Sequence, residues 1–165
     1  MLIEKTFPIA LTVLDNGLKH AQHLWQLLQH EADLLLEAQR ADQLKALAEQ
    51  KQRCVESLTQ VSKQIAQILA SEQLPHDAQG IADYFDRAAS CGLPARQGTQ
   101  KWQTLAELSK NCRDLNEKNG VRIEMLTRYA QRRLQLLKGR TETSITYGRD
   151  GITRSAAASH TLVTV

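Results

Sequence analysis

Three histidines, His20, His23 and His30, recur at spacings that can bring imidazoles to one side of a helix. Imidazole is a common transition-metal ligand, so the pattern raises a metal site. No matching carboxylate or thiolate set converges on these residues, and the His-Glu-x-x-His and Glu-x-x-His signatures are both absent. They read as solvent-facing histidines. Glu31, Asp33 and Glu37 lie close together, and paired acids can perform general acid–base work. On a helix such acids are more simply surface charge. The three cysteines, Cys54, Cys91 and Cys112, form no Cys-x-x-Cys pair and no framework spacing. An odd, scattered set predicts reduced thiols. Cys54 and Cys112 fall on apolar stripes and act there as small hydrophobes. Cys91 lies in a loop without a basic neighbour to activate it. Phosphate-binding loops and dinucleotide fingerprints are also missing. The expectation is a protein that is not an enzyme and takes no cofactor or metal.

The elements carrying these residues follow from hydrophobic spacing. Leu11, Leu14, Leu18, Ala21, Trp25, Leu28, Ala32 and Leu35 alternate three and four residues apart. Leu44, Leu47, Lys51, Cys54, Leu58, Val61, Ile65 and Ile68 do the same, with Lys51 the single interruption. Such spacing lines one stripe of a helix against a neighbour. Leu24, Ala48, Val55 and Leu69 widen the stripes, as a bundle requires. Two long helices are predicted, over 8–38 and 42–70, joined as an antiparallel hairpin, with Asp42 capping the second. Asn16-Gly17 interrupts the first locally, yet the register passes through it unshifted.

Pro75, Gly80, Gly92, Pro94 and Gly98 punctuate residues 71–98. Ile81, Tyr84, Phe85 and Ala88 keep helical spacing between them and predict a short helix over 77–90 that caps one end of the bundle. A third long helix is predicted over 99–138, capped by Thr99 and stopped by Gly139. Leu108, Cys112, Leu115, Asn119, Ile123, Leu126, Ala130, Leu134 and Leu137 recur on a roughly 11-residue spacing, the period of a straight or slightly right-handed helix. Gly120, in its middle, costs about 1 kcal/mol relative to alanine, and close approach of a neighbouring backbone is the expected compensation. Residues 139–165, rich in Thr, Ser, Gly and Ala, have too few apolar side chains to fold alone. Gly148-Arg149-Asp150-Gly151 between β-formers suggests a marginal hairpin there.

The predicted fold is therefore all-α. An antiparallel bundle of three long helices and a short connecting helix occupies 1–138, and a flexible C-terminal tail occupies 139–165. Aromatic residues are only 4% of the chain, so Leu, Ile, Val and Ala must build the core. The net charge of +3 is uneven, with the basic excess after residue 98. Basic and acidic residues interleave there, as on a solvated helix face. No signal peptide precedes the first helix and no apolar run is long enough to cross a bilayer, which predicts a cytoplasmic protein without direct membrane insertion.

The third long helix also carries a second apolar stripe. At about 100° per residue, Val121, Met125, Tyr129 and Leu136 share an arc of about 80° facing away from the Asn119–Ile123–Leu126–Ala130 line. One stripe suffices to join a bundle. The second is either buried between the other helices or a docking face for a partner helix, with Met125 adaptable in shape.

The stretch from Leu108 to Gly151 resembles the signature of the FlgN family. It contains Leu115-Asn116, Asn119-Gly120, Ile123 and Leu126 in mid-helix, then Leu134, Leu136, Leu137 and Gly139, then Tyr147-Gly148-Arg149-Asp150-Gly151. Trp102 also fits, and Glu49-Gln50-Lys51 resembles the family's Glu/Lys-rich stretch. The resemblance implies a cytosolic chaperone of the flagellar type III export system. Such a chaperone binds C-terminal helical regions of the hook–filament junction proteins, prevents their premature association and delivers them to the cytosolic domain of the export gate. Asn119, Val121, Met125, Tyr129 and Leu136 are then the expected partner-binding residues for the client, and Tyr147 for the gate. A coiled-coil scaffold that self-associates is the main alternative. A nucleic-acid-binding bundle using Arg122, Arg128, Arg132, Arg133, Lys138 and Arg140 lacks any stacking platform, so no nucleic acid is expected.

Overall fold

The computed structural model describes residues 2–37 and 41–138. Apolar stripes at helical spacing fold into four helices, α1 (Leu2–Leu34), α2 (Ala41–Ser71), α3 (Ala78–Ser90) and α4 (Ala95–Leu137). No strand occurs among the described residues. The chain separates into a compact unit, Met1–Gly120, and a second unit beginning at Val121. The expected tail over 139–165, the Gly139 stop, the Asp-Gly hairpin and Tyr147 lie outside the described residues.

Within the first unit the long helices run up, down and up. Thr6 meets Glu72 and Glu31 meets Lys51, so α1 and α2 are antiparallel. Lys101 reaches Asp15, Cys112 lies against Ala21 O, and Asn119 donates to Leu28 O, so α4 ascends beside α1. The predicted stripes form the core. Leu14, Ala21 and Leu28 of α1, with Leu47, Cys54 and Val61 of α2, are all buried. Each buried leucine contributes about 1.5–3 kcal/mol.

Helix α3 closes the end where α1 starts and α2 stops. Its Ile81, Tyr84, Phe85 and Ala88 join Ile3, Phe7, Leu69, Leu74, Ala95 and Leu105 in one apolar cluster. Asp77 caps α3 by accepting from the Gly80 N–H at 2.8 Å. The Tyr84 hydroxyl donates to Thr6 Oγ1, whose own hydroxyl donates to Glu72. Burial raises the Tyr84 phenol above its ordinary value; the Thr6 hydrogen bond opposes this, and the nearby Glu72 charge adds to it.

Three local expectations change. Helix α1 begins at Leu2 and contains Pro8, whereas the sequence places its start at 8. An interior proline costs about 3 kcal/mol, but Ile3 and Phe7 are buried in the end cluster, and each such burial returns about 1.5–3 kcal/mol. Packing thus carries the helix through the proline. Neither expected cap of a long helix holds: Asp42 lies inside the first turn of α2, and Thr99 lies inside α4, donating to Ala95 O. Gly120 has no heavy atom within 4 Å of an added Cβ, so the expected close backbone approach is absent. Close approach occurs instead at Gly17, where a Cβ would lie 2.9 Å from Leu105 Cδ2 and 3.1 Å from Val61 Cγ1. That contact explains why Asn16-Gly17 does not break α1, since the glycine lets three helices meet.

Candidate functional site

The final turns of the first unit are joined by a polar cluster within an otherwise apolar core. Glu31 is 2% exposed, although charged groups are rarely buried unless paired. Its carboxylate accepts from Lys51 Nζ at 2.7 Å through both oxygens. Asn119 is 0% exposed, and its Nδ2 donates to Leu28 O at 2.9 Å and to Glu31 Oε2 at 3.1 Å. Lys51 also reaches Asn116 Oδ1 at 3.4 Å, a weaker contact. The cluster links α1, α2 and α4 in one register, a use for which buried polar groups are suited.

Two sequence readings are revised here. Lys51, the interruption of the α2 stripe, is the cation that neutralises Glu31. Glu31, read as surface charge, faces inward. The signal was present: a lysine on an apolar stripe calls for a carboxylate on the partner helix. Asn119, expected among the partner-binding residues, is placed inside the bundle with its amide bonded to α1. The Leu-Asn-x-x-Asn-Gly run thus supplies two side chains, Asn116 and Asn119, to a structural lock.

From Val121 to Lys138 every described residue is exposed. The apolar ones range from Ile123 at 39% to Leu137 at 84%, with Val121, Met125, Tyr129 and Leu136 between. The line that is core at Leu105 and Cys112 is therefore open from Ile123 onward, against the expectation that it stays buried to the helix end. The second stripe is open as well. Within this segment Arg128 pairs with Glu124 one turn earlier, and the Arg133 guanidinium lies 4.6 Å from the centre of the Tyr129 ring. A cation over a ring holds the aromatic side chain in place at a surface position. The sequence marks this segment through its two stripes, while its complete exposure is visible only in three dimensions.

Elsewhere the polar groups serve the fold. His23 and His30 are exposed and His20 is half-buried. No group of three or more His, Cys, Asp or Glu among the described residues can hold a metal ion. Burial raises the thiols of Cys54 and Cys112, which disfavours the reactive thiolate. In a surface cleft by Leu2, Glu72, Asp83 and Arg87, Thr6 donates to Glu72, Gln79 to Asp83, and Arg87 to Glu72 O. No described helix is long and apolar enough to cross a membrane. Among the described residues the geometry offers an exposed apolar surface for contact.

A family model described as FlgN protein matches residues 6–155 of the chain. Nothing matches among the curated proteins or among the solved structures.

Proposed function

The chain belongs to the FlgN family, a family of flagellar export chaperones, and from this premise we propose a specific course of action. It binds the C-terminal helical regions of the hook–filament junction proteins in the cytosol. It keeps them from associating early and delivers them to the cytosolic domain of the export gate. The observation supporting this reading is the exposed apolar surface of α4 after Gly120. A client helix needs such a surface, because two amphipathic faces that bury each other remove both from water without a covalent step. Val121, Met125, Tyr129 and Leu136 are the proposed client contacts. Asn119 acts one step removed, by fixing the turn of α4 that precedes them. Tyr147, outside the described residues, is the proposed contact for the gate.

Calorimetric titration with C-terminal fragments of the hook–filament junction proteins tests this. Saturable one-to-one binding is expected. Met125→Ala with Tyr129→Ala should weaken it by roughly tenfold to several hundredfold, as for central contacts of about 1.5–3.5 kcal/mol, with helicity retained. Tyr147→Ala should spare client binding and reduce export. No binding of either fragment to the folded protein would remove the chaperone reading and leave a self-associating scaffold.

A further inference from the structure

The exposed segment of α4 carries charge in a particular place. Residues 121–138 contain five basic side chains, Arg122, Arg128, Arg132, Arg133 and Lys138, against one acid, Glu124. At about 100° per residue, Val121, Met125, Tyr129 and Leu136 occupy an arc of about 80°. On the same wheel, Arg132 falls inside that arc, Arg128 lies about 20° beyond one edge, and Arg122 and Arg133 lie about 20° and 40° beyond the other. Four of the five cations thus border or interrupt one apolar stripe. The opposite stripe of Ile123, Leu126, Ala130, Leu134 and Leu137 has Arg122 and Arg133 along one side, and Thr127, Lys138 and Gln131 in turn toward the other. Arg128 is paired with Glu124 and Arg133 is stacked on Tyr129. Arg122 and Arg132 have no acidic partner among the described residues.

We propose that the occupant of the Val121–Met125–Tyr129–Leu136 stripe is an amphipathic helix whose apolar face is bordered by Asp and Glu. The inference deepens the chaperone reading and rests on it for the identity of the surface. Like charges brought together in a desolvated interface repel strongly, so arginines flanking an apolar stripe select against basic partners as well as for acidic ones. A second copy of the same stripe is disfavoured for that reason, since pairing it with itself brings two arginine borders together. Nucleic acid would satisfy the arginines and leave Val121, Met125, Tyr129 and Leu136 in water. An acid-bordered helix satisfies both sets. Arg122 and Arg132 are its specificity-determining contacts.

The test uses the full chain and two synthetic amphipathic peptides of about 18 residues, the length of the segment at 1.5 Å per residue. They share one Leu/Val face; one has Glu along its borders and the other Lys. A DNA duplex and the junction-protein C-terminal fragments are titrated in parallel. The Glu peptide should bind at least about tenfold more tightly than the Lys peptide near 50 mM salt, and the gap should close toward 500 mM as charges are screened. The double variant R122E/R132E, checked for helicity, should reverse the order. Equal binding of both peptides at low salt overturns the inference, and this arm needs no variant. Duplex binding without Glu-peptide binding overturns it in favour of nucleic acid. Junction fragments that bind independently of salt and equally to R122E/R132E overturn it while leaving the chaperone reading standing. Glu-peptide selectivity without junction-fragment binding sustains the inference and removes that reading.

Discussion

Replacing Lys51 by Met removes the cation from a carboxylate that the fold has already buried. Glu31 has 3% side-chain exposure and Lys51 has 17%. Removing one partner of a buried ion pair costs about 3–5 kcal/mol, because the remaining charge keeps its desolvation penalty. The partial exposure of Lys51 lets water approach, which places the loss near the lower end, about 3 kcal/mol. Methionine and lysine have nearly equal helix propensity, so α2 itself is unaffected. For a chain of this size a loss of about 3 kcal/mol lowers the melting temperature by roughly 10 °C. Thermal unfolding followed by circular dichroism, with urea titration beside it, measures both quantities. Adding Glu31→Gln to Lys51→Met removes the orphaned charge while keeping an oxygen for the Asn119 amide. The double variant should therefore recover about 2 kcal/mol of the single variant's loss. A single-variant loss under about 1 kcal/mol would match an exposed surface pair and refute the buried lock. Equal losses in the single and double variants would refute the assignment of the cost to Glu31.

Two glycines of α4 should respond with opposite sign. Gly98→Ala drives a Cβ into the Phe85 ring and should destabilise by about 1–3 kcal/mol in urea unfolding. Gly120→Ala meets open space and should raise helicity and stability by about 0.5–1 kcal/mol. Pro8→Ala restores an interior α1 hydrogen bond and should stabilise by about 1 kcal/mol or more; a lower melting temperature would contradict a helix starting at Leu2. Buried Cys54 and Cys112 are held in the thiol form in the folded chain, with their folded values raised above the unfolded ones. Their contribution is present in full below the unfolded thiol value, about 8.5, and is lost as pH rises toward the folded values, because the unfolded chain then binds fewer protons. Unfolding free energy should fall above about pH 8.5, less steeply in a Cys54→Ala, Cys112→Ala variant. Tyr84, raised in the same sense, adds to the fall at higher pH.

Apolar spacing along the chain sets where helices form and which faces they can bury. Apolar spacing is a local property, so the stripes of α1 and α2, the short α3, and the all-α class were legible from residue order. The second stripe at Val121, Met125, Tyr129 and Leu136 was legible on the same ground. Tertiary structure decided which stripes find a partner. A helix carries no record of whether a neighbour covers it, so the line through Leu105 and Cys112 could not reveal that it is buried there and open from Ile123 to Leu137. Partnership of charges was likewise undecided, since Glu31 and Lys51 meet only because the hairpin sets their register. The same holds for Asn119, whose type suggests contact and whose surroundings give it Leu28 O and Glu31. Pro8 and Gly17 show the reverse case, in which local propensity opposes a helix that long-range burial of Ile3 and Phe7, and the close approach of Leu105, maintain.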